Sequence, residues 1–72
     1  MNKNIIVRVD IFPNGDICPI EITKNNGQSI IINRVINIKK NMINGVLSID
    51  FICKTHNKVI ILRKTNDSWE LQ

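Results

Sequence analysis

Apolar and polar residues alternate near the start of the chain: Ile5, Val7, Val9 and Ile11 are interleaved with Arg8 and Asp10. A period of two is the signature of a half-buried strand, here running from Ile5 to Phe12. Pro13-Asn14-Gly15-Asp16 ends it in a tight turn, because proline presets φ and Asn-Gly accepts positive φ. The second strand runs from Ile17 to Lys24, with Cys18, Ile20 and Ile22 on one face and Glu21 and Thr23 on the other. Pro19 has no N–H to give to a ladder, which predicts an edge strand or a bulge near its start. Asn25-Asn26-Gly27 is the strongest hairpin signal in the chain.

The third strand is long, from Gln28 to Lys39, with Ile30, Ile32, Ile36 and Ile38 on one parity and Arg34 in the same row. A strand of that length in a small domain is expected to bend and serve two sheets, with a bulge near Asn33-Arg34. Ile32, Val35, Ile36 and Ile43 also fit one helix face, but the β-branched run and the asparagines argue against a helix. Asn44-Gly45 turns the chain again. Leu47, Ile49, Phe51 and Cys53 then alternate with Ser48, Asp50 and Lys54. A turn at Thr55 to Asn57 leads into a strand from Lys58 to Lys64. Asn66-Asp67 makes the last turn, and Trp69 and Leu71 share a face of a short closing strand. The pattern predicts one all-β domain over residues 1–72, a small antiparallel barrel of five to six strands, SH3-like. Closure would remove open edges that isoleucine-rich strands cannot safely expose. The expected core is Val7, Val9, Ile20, Ile22, Ile32, Ile36, Ile49, Phe51 and Trp69.

Seventy-two residues make one domain, and one this small is marginal without a disulfide, a metal or an oligomer contact. Two cysteines, Cys18 and Cys53, are too few for a disulfide scaffold. Met1-Asn2-Lys3-Asn4 leads straight into a strand pattern, without the apolar stretch and cleavage site of a signal peptide. No segment approaches the roughly 18 apolar residues that span a bilayer. The expectation is a cytoplasmic protein with reduced thiols and no membrane partner.

The net charge of +4 changes the picture less than it first suggests. Ile, Asn and Lys dominate and Ala is absent, the drift expected of an AT-rich genome, which by itself can accumulate lysines without selection for a polyanion. The bases Lys3, Arg8, Lys24, Arg34, Lys39, Lys40, Lys54, Lys58, Arg63 and Lys64 are dispersed, and the only aromatics are Phe12, Phe51 and Trp69. Nucleic-acid binding by a small barrel needs a basic stripe interleaved with exposed aromatics. It stands as the second reading, using the dispersed bases. Arg34 interrupts an isoleucine row, so it is either displaced by a bulge or turned inward and paired with Asp10 or Asp50.

Nothing in the chain reads as catalytic. The carboxylates Asp10, Asp16, Glu21, Asp50, Asp67 and Glu70 are scattered, and no serine or cysteine sits in a nucleophile setting. Cys53 and His56 have the spacing of half a zinc site, with Cys18 as a third ligand, but a fourth is missing. Both cysteines fall on apolar strand faces, where a thiol acts as a small hydrophobe. No catalytic residue, metal or cofactor is therefore expected.

Protein association has positive support. Ile30-Ile31-Ile32 and Val59-Ile60-Ile61-Leu62 are apolar on both parities, and a small barrel has only one interior. Ile31, Ile52 and one parity of the fifth predicted strand are expected to lie on the second face. The residues singled out for contact are Arg8, Ile31, Arg34, Ile60 and Arg63. The expected partner is a protein or a second copy of the chain, with Ile31 or Ile60 near the centre of a two-fold interface.

The motifs also come in a distinctive order: Phe12-Pro13-Asn14-Gly15-Asp16-Ile17, then Pro19-Ile20-Glu21-Ile22-Thr23, a turn at Gly27, Ile32-Asn33-Arg34-Val35-Ile36 and a closing Trp69. Over nearly its whole length the chain resembles a group of short all-β proteins of low-GC Gram-positive bacteria. It departs from them at Asn33, where they carry Asp, and at Lys24-Asn25, where they tend to an aromatic and an acid. The resemblance implies no activity, because none is attached to the group.

Overall fold

The computed structural model describes residues 5–66 and 68–72. The readings made of Met1 to Asn4, Lys3 among them, and of Asp67 lie outside the described residues. Seven strands follow in order: β1 (Ile6–Ile11), β2 (Ile17–Thr23), β3 (Ser29–Ile31), β4 (Arg34–Ile43), β5 (Val46–Lys54), β6 (Val59–Thr65) and β7 (Ser68–Leu71). They form two antiparallel sheets, β1-β2-β3 and β4-β5-β6-β7. The all-β class is as the alternation predicts. Among the described residues no strand ladder joins one sheet to the other.

The turns follow from their residues. Gly15 donates its N–H to the Phe12 carbonyl at 2.9 Å, and Phe12 donates to the Asp16 carbonyl at 2.8 Å. This is a type I turn with one extra residue, a common three-residue hairpin loop. Lys24 to Gln28 repeats the design: Gly27 donates to Lys24 at 2.9 Å and Lys24 to Gln28 at 2.8 Å. In each loop an asparagine side-chain oxygen accepts from the N–H two residues on, Asn14 from Asp16 at 3.0 Å and Asn26 from Gln28 at 2.9 Å. The β4–β5 hairpin is tighter. Asn44 at φ 50° and Gly45 at φ 80° make a two-residue turn with both φ positive, whose twist matches the flanking strands. A Cβ at Gly45 would meet nothing within 4 Å, so Gly45→Ala should cost only its left-handed backbone, about 1–2 kcal/mol. Thermal unfolding of the variant checks this, and an unchanged melting temperature would contradict the turn assignment.

The predicted long third strand exists as two. Ile32 donates its N–H to Ile20 in the first sheet at 3.0 Å, and the next residue, Asn33, donates to Lys54 in the second at 2.8 Å. The chain thus changes sheets across a single peptide, pinned by the buried Ile32. This split accounts for seven strands where five to six were expected. The bulge lies beyond the predicted place, between Val35 and Asn37, and leaves Ile36 unpaired. Ile36 is 49% exposed and does not belong to the core in which the parity of its row had placed it. A second bulge at Ile20, between Arg8–Glu21 and Val9–Pro19 pairs, fits the signal of Pro19.

The sheets face each other across a core of Ile22, Ile32, Phe51, Cys53, Ile60 and Leu62. Of the predicted core, Ile22, Ile32 and Phe51 are buried, whereas Val7, Val9, Ile20, Ile49 and Trp69 are half-buried. In the second sheet the inward rows read Val35-Cys53-Ile60, then Ile38-Phe51-Leu62-Leu71, then Lys40-Ile49-Lys64-Trp69. Apolar residues therefore give way to lysines toward the β4–β5 tip.

Candidate functional site

The outer face of the second sheet carries a cross-strand row of alternating charge: Lys39, Asp50, Arg63 and Glu70 are directly opposite one another on β4 to β7. Arg63 grips Asp50 through two hydrogen bonds, Nε to Oδ1 at 2.8 Å and Nη2 to Oδ2 at 3.1 Å. The hydrogen bond from Arg63 holds the Asp50 carboxyl below its ordinary value, with Lys39 adding a smaller attraction. On the first sheet Arg8 pairs with Glu21 at 3.2 Å. Two of the expected contact residues, Arg8 and Arg63, thus serve ion pairs within their own sheets. Arg34 is exposed at the start of β4, directly opposite Lys54. It does not turn inward, and Asp50, one of its two expected partners, belongs to Arg63.

Ile31 is exposed, in the same cross-strand row as Arg8 and Glu21. Ile60 corrects the expectation made of it. It is 7% exposed and packed in the core, because β6 turns its even residues inward and leaves Val59 and Ile61 outside. Sequence parity alone cannot say which of two apolar faces is covered.

Apart from the exposed Arg34 and Lys54, which face each other on the outer side of the second sheet, positive charge also lies on its inner side. A cleft of about 860 Å³ opens between the β1–β2 turn and the inner face of β4, β5 and β6. Its apolar lining includes Phe12, Ile17, Val35, Ile38, Ile49 and Phe51, and Lys40 and Lys64 enter it on either side of Ile49. Two strand spacings separate the lysines, about 10 Å between backbones. Asp16 lies on the turn side of the cleft. Lys64 also donates to the Asn66 carbonyl. A smaller polar groove holds Lys24, His56 and Lys58 between the β2–β3 and β5–β6 turns.

One wall of the cleft is β4, an edge strand with a neighbour on one side only among the described residues. Ile36, Ile38, Met42 and Ile43 along it are all exposed, Met42 at 65%. In a two-residue hairpin, Ile43 and Val46 exchange both backbone bonds, so Asn41, Lys39 and Asn37 also bond inward to β5. Ile38, Lys40 and Met42 therefore turn N–H and C=O toward the open edge. The Ile38 N–H bears this out, being taken at 2.8 Å by the side-chain oxygen of Asn37 instead of by a backbone carbonyl. Sequence reasoning stopped this strand at Lys39. The Asn44-Gly45 turn, flanked by Ile43 and Val46, was the signal that could have carried it to Ile43.

Cys18, Cys53 and His56 do not come together as a group of three. Cys53 is fully buried and Cys18 lines the cleft, both free, and His56 is exposed in the β5–β6 turn. Among the described residues no three metal-capable side chains form a group. Burial pushes the Cys53 thiol up to about 11, with Cys18 as a smaller contributor. No helix among the described residues is long and apolar enough to cross a membrane. No family model matches the chain, and neither a curated protein nor a solved structure matches it.

Proposed function

We propose that this chain is a non-enzymatic, cytoplasmic protein-interaction module, an SH3-like small barrel that binds a protein partner along β4 and the adjoining cleft. The observation that supports this reading is the exposed ten-residue edge strand β4, with apolar side chains along its length and open backbone groups at Ile38, Lys40 and Met42. Natural sheets usually shorten, cover or charge such an edge; β4 carries Lys39 and Lys40 but is long and has no strand beside it on one side among the described residues, which leaves its backbone open to pairing. The two lysines in the cleft and the exposed Phe12 at its rim favour nucleic acid as the second reading. One aromatic is short of the stacking platform that reading needs.

A photo-crosslinking benzophenone side chain at Met42, compared with the same group at Glu70 across the sheet, tests the reading in host cells. A protein adduct is expected from Met42 alone, and Ile38→Asp should abolish it. An adduct with a second copy of the chain would make the partner itself. Identical adducts from both positions, or an adduct with nucleic acid, would overturn the proposal.

A further inference from the structure

We infer that the partner segment is an acidic, alternating extended peptide that adds to β4 as a fifth strand of the second sheet, an inference that rests on the reading above. The backbone supplies the first argument. Ile38, Lys40 and Met42 face the open edge, and Asn37 already places a side-chain acceptor on the Ile38 N–H where an added strand would place a carbonyl. That side chain is a local competitor for strand pairing. Binding would turn it aside and replace one acceptor with a row of them.

Charge supplies the second argument and selects the occupant. β4 contains Arg34, Lys39 and Lys40 and no acid. Lys39 is balanced by Asp50, but Lys40 and Lys64 face the cleft without a carboxylate in ion-pair range among the described residues. A strand added beside β4 sends alternate side chains into the layer where the cleft lies, next to Ile38 and Lys40. A carboxylate there meets Lys40 first, with Lys64 two strands further along the same face, and the alternate apolar side chains fall on the opposite face, beside the exposed Ile43. A second copy pairing through β4 would instead bring two basic strands together, and like charges directly opposite destabilise a sheet.

The probe is a labelled ten-residue peptide in which Glu and Val alternate, titrated by fluorescence anisotropy against the whole chain. It is expected to bind at least tenfold tighter than its Lys-Val counterpart and than a ten-nucleotide oligothymidylate. Methylating alternate backbone nitrogens of the peptide should weaken binding at least tenfold, since a strand needs those N–H groups and a purely electrostatic site does not. Lys40→Glu should weaken it tenfold, and Asn37→Ala should tighten it severalfold by freeing the Ile38 N–H; both positions are exposed, and circular dichroism checks that the variants fold. Binding that ignores backbone methylation, or tighter binding of the oligonucleotide, would overturn the inference. So would failure of the acidic peptide to bind while Met42 still cross-links to a protein, an outcome that leaves the broader reading standing.

Discussion

Phe51→Ala is expected to lower the unfolding free energy by about 3–5 kcal/mol, the range for truncating a buried aromatic. Phe51 is 2% exposed at the middle of β5, with Ile38 and Leu62 directly beside it on the inner face. Its ring also meets Trp69, with centroids 5.7 Å apart and planes tilted by 36°. An aromatic pair of this kind contributes about 0.5–1.5 kcal/mol beyond area burial. At roughly 0.05–0.15 kcal/mol per residue, a domain of this size has a total stability of about 4–11 kcal/mol. The loss therefore takes from about a quarter to all of that stability. Urea titration measures the effect as a fall in midpoint at constant slope. Ile36→Ala is the control, because the bulge exposes that side chain and the loss should stay below about 1 kcal/mol. A small loss at Phe51, or a larger one at Ile36, would reverse the assignment of faces.

Raising the pH should destabilise the protein by about 2–3 kcal/mol between pH 9 and 11, and Cys53 should be the cause. The thiol ordinarily ionises near 9.0, and in the folded chain burial raises it to about 11. Below pH 9 both states hold the proton and stability is full. Between the two values the unfolded chain loses its proton while the folded chain keeps it, so unfolding is favoured as pH rises. Two units at 1.4 kcal/mol each set the size. The chain has no tyrosine to add a phenol titration in the same window. Cys53→Val keeps a small apolar side chain in place and removes the titrating group. Its stability should fall less with pH than that of the unaltered protein. Equal slopes for the two proteins would show that the thiol does not carry the effect.

Sequence alone determined the strand count to within two, because alternation and turn chemistry are local. Pro13-Asn14-Gly15, Asn25-Asn26-Gly27 and Asn44-Gly45 all turn the chain where those residues favour a turn. The inward parity of Phe51 and Cys53 was equally legible, because polar Ser48 and Asp50 occupy the other face of β5. Only the tertiary structure decided the rest. Ile60 and Ile61 are chemically alike, and the choice between them depends on which face of β6 meets the other sheet. Ile36 left the core because a bulge shifted its parity, and a bulge is set by the partner strand as much as by its own residues. Asp50 went to Arg63 and not to Arg34 because register put Arg63 opposite it. The open edge of β4 is likewise a property of sheet order. An edge is defined by the strand that is missing beside it, which no local pattern of residues records.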